Sequence, residues 1–205
     1  MCARYVLTNK PRKLQIGCGK NPINGWLNTD VRWRPGKIAY LNATRRTPFG
    51  DGTFDYIFSE HMIEHFDYAT GKKMLAECFR IMSSGGTIRI ATPGLERLVE
   101  FFGDKRSWQH DRYKDWLLDW RYPDADKRRD SMVINCMFTQ WGHKFIYDTE
   151  TLTDILQDTG FVDVTVCKPG QSEHETLKNL EGRGTALGSK ESGDFETIVV
   201  EARKA

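Results

Sequence analysis

The run Leu14-Gln15-Ile16-Gly17-Cys18-Gly19 constrains this 205-residue chain more than any other segment. A short apolar strand that breaks into glycine-x-glycine lets main chain come into van der Waals contact with a ligand, because glycine has no Cβ to hold it away. Asp30 follows 13 positions after Gly17, and an acidic side chain there can accept both hydroxyls of a ribose. Turn and acid together predict a nucleoside pocket at the carboxyl ends of parallel strands.

Apolar runs at 13–17, 26–31, 54–59 and 87–91 read as strands, with a weaker one at 37–43. Over 71–82 the period changes to that of a helix. Met74, Leu75, Cys78, Phe79 and Met82 share one face, and Ser83-Ser84-Gly85-Gly86 stops it. A second helix, 149–159, starts after the cap Asp148 and ends at Gly160; strands at 161–168 and 195–203 complete the pattern. Alternating strand and helix predict an α/β fold of Rossmann-like type, a doubly wound and mostly parallel sheet covered on both faces.

The length suits a single domain, 1–205, carrying an insertion. Residues 104–147 hold four of the six tryptophans, and Tyr113, Trp116, Leu117 and Trp120 have amphipathic helical spacing, so this stretch reads as a helical insertion. Residues 169–194, rich in Gly, Ser, Glu and Lys, read as a loop excursion that is mobile unless a ligand orders it.

With 30 basic and 28 acidic side chains the net charge of +2 gives no footprint for nucleic acid. No stretch approaches the ~18 apolar residues of a membrane span, and 1–13 lacks the apolar core of a secretory signal. The five cysteines are widely spaced with no C-x-x-C, which suits reduced thiols in a cytoplasm. A cytoplasmic location is expected, with the oligomeric state open.

Four blocks in order carry a family likeness: Leu14 to Gly19 as above; Pro48-Phe49-Gly50-Asp51-Gly52-Thr53-Phe54-Asp55-Tyr56-Ile57; Ser59-Glu60-His61-Met62-Ile63-Glu64-His65; and Glu77-Cys78-Phe79-Arg80-Ile81-Met82-Ser83-Ser84-Gly85-Gly86. Here the chain resembles the class I S-adenosylmethionine-dependent methyltransferases of the methyltransferase type 11 kind. The resemblance implies a seven-stranded sheet with an antiparallel last strand, and S-adenosylmethionine as cofactor. It implies that Gly17, Cys18 and Gly19 approach the methionine part, that Asp30 holds the ribose, that Asn42 and Ala43 lie near the adenine, and that Ser59 and Glu60 line the methyl-donor end.

Three departures from the family pattern stand out. Gln15 occupies a position where many relatives carry an acid, Asn21 replaces a third glycine, and Pro22 and Gly25 forbid a full helix between the first two strands. A dinucleotide wants its pyrophosphate on a helix N-terminus, whereas a sulfonium nucleoside has no phosphate to place there. The abbreviated connection therefore favours adenosylmethionine over a nicotinamide cofactor, whose acid also comes about 20 residues on.

His61-Met62-Ile63-Glu64-His65 formally matches the zinc-peptidase pattern H-x-x-E-H. It leaves a buried strand of a sheet assigned to a nucleoside, and the sequence offers no third ligand, so no metal is expected and Glu64 and His65 read as structural. His61 follows the strand end where a methyl acceptor would lie, and an imidazole of pKa about 6.5 can take its proton. His143, in Trp141-Gly142-His143-Lys144-Phe145, is the second catalytic candidate. Trp116, Trp120 and Trp141 read as core of the insertion or as apolar walls for a sugar or aromatic ring. The expected activity is methyl transfer to a hydroxyl or amine of a small molecule or saccharide. A catalytically silent S-adenosylmethionine-binding module, to which Gln15 points, and a nucleotide-dependent oxidoreductase are the alternatives.

Overall fold

The computed structural model describes residues 2–205; Met1, the first residue of the 1–13 stretch and of the 1–205 domain, lies outside them. Helix α1 (Cys2–Thr8) precedes β1 (Lys13–Ile16), β2 (Leu27–Asp30), β3 (Ala39–Tyr40), β4 (Phe54–Glu60), α2 (Tyr68–Ile81) and β5 (Met82–Pro93). Then come α3 (Leu95–Val99), α4 (Trp108–Arg121), α5 (Asp130–Thr139), α6 (Thr149–Thr159), β6 (Val162–Cys167), α7 (Arg183–Ala186), α8 (Lys190–Glu196) and β7 (Thr197–Arg203).

The seven strands form one sheet in the order β3-β2-β1-β4-β5-β7-β6. β1 to β5 pair in parallel, and β7 runs antiparallel to both β5 and β6. The chain winds outward in opposite directions from β1 and β4, which sit side by side with Ile16 opposite Ser59. In such a sheet the crevice beyond these two strands is where ligands bind.

One face of the sheet is covered by helices. Leu14, Ile16, Leu27, Ile57, Ile88, Ile90 and Val200 meet Met74, Leu75, Cys78 and Ile81 of α2 and Leu152, Ile155 and Leu156 of α6. Both helices start where a carboxylate accepts a main-chain amide: Asp67 from Thr70 at 2.8 Å and Asp148 from Thr151 at 2.7 Å. Gly160 ends α6 at φ 106°, a left-handed value that other residues adopt only with strain.

The second face carries loops where the alternation predicts helices. Trp26, Phe58, Ala91 and Val199 are covered by Ile23 of the first connection and by Leu177 and Leu180 of the 169–194 excursion. Leu177 is fully buried, so that segment is structural cover. The excursion is pinned by Arg89 of β5, fully buried, which donates to Glu181 at 2.6 Å and to Glu201 of β7 at 2.5 Å.

Several boundaries differ from expectation; the last strand, expected from 195, begins at Thr197 because helix α8 runs through Glu196. Helix α2 begins three residues before 71 and runs straight into β5 at Met82, because Ser83 to Gly86 continue as extended chain. The N-terminal helix α1 docks Cys2, Tyr5 and Val6 on the helical face. Between β5 and α6, the helices α3, α4 and α5 build a second core around Leu98, Tyr113, Leu117, Val133, Cys136 and Met137.

Candidate active site

The carboxyl end of β1 turns sharply, with Gly17 at φ 70° and Gly19 at φ 53°. The Gly19 amide donates to Asp30 Oδ2 at 2.9 Å and the Arg32 amide to Oδ1 at 2.7 Å. A Cβ on Gly19 would meet nothing within 4 Å, whereas one on Gly17 would sit 2.4 Å from Cγ of Met62. The turn is thus open on the Gly19 side and closed by Met62 beneath Gly17. Cys18 between them is buried, and burial together with the Asp30 charge pushes its thiol up to about 11, so it stays protonated.

Gln15 explains how the first connection dispenses with a helix. Its Nε2 donates to the Asn21 carbonyl at 3.1 Å, and its Oε1 accepts the Ile23 amide at 3.2 Å. Asn28 clamps the same residue, accepting the Ile23 amide at 2.8 Å and donating to its carbonyl at 3.0 Å. An acid at position 15 could accept from Ile23 but not donate to Asn21.

Asn42 Oδ1 accepts the amide and hydroxyl of Thr44 at 3.0 and 2.7 Å, while the Ala43 methyl packs into the main core, leaving its main chain for any ligand. On β4, the Ser59 hydroxyl is buried without a hydrogen-bond partner. Glu60 accepts the amides of Gly182 at 3.2 Å and Arg183 at 2.9 Å, so the excursion closes against the end of β4. Burial raises the Glu60 pKa against the opposing pull of these amides.

His61 turns the chain at φ 45° and is buried. Its Nε2 lies 3.1 Å from the Thr197 hydroxyl, whose own proton goes to the Gly193 carbonyl at 2.7 Å, so Nε2 is the donor. Its Nδ1 faces Glu64 Oε1 at 3.5 Å, and Glu196 Oε1 is 3.7 Å from Nε2. Nδ1 is thus buried beside a carboxylate without a hydrogen-bond partner. In His143, Nδ1 donates to the Met137 carbonyl at 2.6 Å, and Nε2 is buried with no partner. Burial lowers the His143 pKa, which keeps this imidazole neutral.

The fold brings the two histidines to one crevice, walled also by Pro93, Trp116, Leu117, Trp141, Arg183 and Glu196. Trp116, Leu117, Trp141 and Leu187 continue into a cavity of about 320 Å³ that Trp120 and Asp119 complete. Trp120 and Trp141 stack with centroids 5.8 Å apart and planes 9° apart. No sequence pattern marks Arg183 or Leu187, which lie in the excursion, or Glu196, which also accepts the buried Tyr113 hydroxyl.

Comparison with known proteins bears on this arrangement. Residues 26–90 match the family model described as a methyltransferase domain. No curated protein sequence matches the chain. Among solved structures, a SAM-dependent methyltransferase from Archaeoglobus fulgidus superposes with a TM-score of 0.53 at 18% identity, over 99% of this chain and 90% of the other. One from Thermotoga maritima gives 0.55 at 16% identity, over 100% and 87%. Phosphoethanolamine N-methyltransferase 2 of Haemonchus contortus, solved with S-adenosylhomocysteine, gives 0.53 at 14% identity, over 99% of this chain and 51% of that longer one. At these identities the likeness is one of fold. Matched segment and strand order agree: this chain has the class I S-adenosylmethionine-dependent methyltransferase fold, with a methyltransferase-domain signature over 26–90.

Proposed function

We propose that this chain transfers a methyl group from S-adenosylmethionine to a hydroxyl or amine of a small molecule or saccharide. The observation that carries the reading is the bond between the Gly19 amide and Asp30, which sets bare main chain and a ribose acceptor side by side at the sheet's switch point. The residues fit the cofactor. Each Asp30 oxygen takes one amide and keeps a lone pair for a hydroxyl, the space beside Gly19 is open, and the orphaned Ser59 hydroxyl awaits a partner.

Main chain 17–19, Asp30, Asn42, the Ala43 main chain, Ser59 and Glu60 would hold the cofactor, which supplies a sulfonium methyl open to in-line displacement. The protein's own work is to exclude water and to hold the acceptor atom about 3–3.5 Å from that carbon. The tryptophan-walled cavity suits the acceptor: its volume of about 320 Å³ fits a single ring and not a polymer. Each of the two histidines at the crevice has one ring nitrogen without a hydrogen-bond partner, Nδ1 in His61, which faces Glu64, and Nε2 in His143.

Titration calorimetry with S-adenosylhomocysteine tests the cofactor half, with one-to-one binding expected; no binding overturns it. A screen of sugars, phenols and amines with labelled donor tests the transfer half. Binding with no transfer to any acceptor would instead describe a silent module.

A further inference from the structure

The H-x-x-E-H segment gains from the fold the third ligand that its sequence lacks. The amides of Lys144 and Phe145 donate to the Glu64 carbonyl at 2.8 and 3.2 Å, which fastens the chain after α5 onto the 3-10 turn Ile63–His65. A carboxylate oxygen of Glu64, a ring nitrogen of His65 and a ring nitrogen of His143 then lie within 4.8 Å of one another.

Two of these groups are left wanting a partner. Glu64 is fully buried; Oε2 accepts the Thr92 hydroxyl at 3.0 Å, but Oε1 makes no hydrogen bond, the nearby His61 Nδ1 at 3.5 Å carrying a lone pair when Nε2 holds the proton. In His143 the carbonyl of Met137 can only accept, so Nδ1 carries the proton and the lone pair stands on the partnerless Nε2. A carbonyl fixing one imidazole nitrogen while the other points at an empty acceptor role is how protein matrices prepare histidine for a metal.

We propose that Glu64, His65 and His143 bind one divalent transition-metal ion. Two imidazoles and one carboxylate suit zinc, cobalt or iron better than magnesium or calcium, which prefer all-oxygen sets, and they leave coordination positions open. The ion would stand at the wall of the tryptophan-lined crevice, where an acceptor oxygen or nitrogen could complete its shell and lose its proton more easily. The His143 nitrogen then serves the ion and not proton transfer. That use of the ion rests on the methyl-transfer reading, but the binding itself does not.

Chelator-stripped protein titrated with Co²⁺ should take up one ion per chain with visible d–d absorption and no thiolate charge-transfer band, which separates this site from the five cysteines. Zn²⁺ should displace it. His143→Ala and Glu64→Gln should each weaken Co²⁺ binding by at least about tenfold, with His143→Ala read alone if the buried Glu64→Gln substitution unfolds the chain in chelator. Absence of stoichiometric binding, or equal affinity in wild type and the folded variants, overturns the proposal. Loss of S-adenosylhomocysteine binding with Co²⁺ uptake intact would count against the cofactor reading alone.

Discussion

The main-chain amide of Gly19 donates to Oδ2 of Asp30 at 2.9 Å, so the glycine turn after β1 and the acid ending β2 form one rigid piece. Replacing Asp30 by Ala removes the proposed ribose acceptor and releases the turn. Affinity for S-adenosylhomocysteine should fall 10- to 100-fold, on the scale of the about 1.5–3 kcal/mol that a hydrogen bond to a charged group contributes. Calorimetry on Asp30→Ala and Asp30→Asn checks this, with Asn intermediate. Unchanged affinity in a folded Ala variant would remove Asp30 from the site.

Gly17 faces two constraints at once, a φ of 70° and the Met62 side chain 2.4 Å from where a Cβ would stand. Gly17→Ala should lower stability by about 1–2 kcal/mol from the left-handed backbone alone, with the clash in addition. Adding Met62→Ala relieves the clash and leaves the backbone term. Urea unfolding of the single and double variants reads the difference; no recovery in the double variant would mean that Met62 does not press on the turn.

Trp120 is 61% exposed yet stacks on Trp141 at the mouth of the cavity. An exposed aromatic face contributes little to folding, so Trp120→Ala should cost under about 1 kcal/mol of stability. It should raise KM for the acceptor while S-adenosylhomocysteine affinity stays at the wild-type value. Steady-state kinetics on whichever acceptor the screen finds would expose a purely structural role if KM did not move.

The strands and the two sheet-packing helices were legible because their periods are strong: α6 spans 149–159 as expected, between Asp148 and Gly160. The antiparallel last strand and the glycine turn followed from family blocks whose spacing is local. Three things were not legible. The cover of the second face depends on Leu177 and Leu180, single apolar residues in a polar stretch with no period to mark them. Helix α1 is held by tertiary docking of Tyr5, whose hydroxyl donates to the Gly25 carbonyl at 3.0 Å, a contact that local sequence does not announce. The meeting of Glu64 with His143 depends on main-chain bonds between distant segments, which no side-chain pattern announces.

Arg80 ties two of the family blocks together, donating to the Phe49 carbonyl at 2.9 Å and to Asp51 at 2.5 Å, and it is held in place by Glu77. Glu77 Oε1 accepts the amide and hydroxyl of Thr47, both at 2.7 Å, and the Arg80 guanidinium donates to both carboxylate oxygens at 2.6 and 2.8 Å. Burial would raise the Glu77 pKa, but these donors win and bring it down to about 2 from 4.5. A depressed carboxylate contributes stability that is full above its unfolded pKa and lost as pH falls through the folded value. Wild-type urea midpoints should therefore drop between pH 4.5 and 2. Glu77→Gln should begin about 2 kcal/mol less stable at pH 7 and lose less across that window. Parallel pH profiles for the two proteins would show that the cluster contributes nothing through its charge.

Arg89 is the strongest tie between the sheet and the excursion that covers it. Its guanidinium is fully buried between Glu181 and Glu201, and it also donates to the Gln171 carbonyl at 2.9 Å. Replacing it by Met would leave two buried carboxylates facing each other with only the Gly170 amide and the Ser172 hydroxyl as donors. Breaking one partner out of a buried ion pair costs about 3–5 kcal/mol, because the remaining charge is neither solvated nor neutralised. Arg89→Met should therefore unfold at much lower urea and expose 169–182 to limited proteolysis while the α2–α6 face stays protected. Combining it with Glu181→Leu and Glu201→Leu removes the orphaned charges, so stability should return toward wild type even though three polar groups are gone. If the single variant matched wild type in both urea and protease resistance, the excursion would owe its place to Leu177, Leu180 and the Glu60 contacts, and not to Arg89.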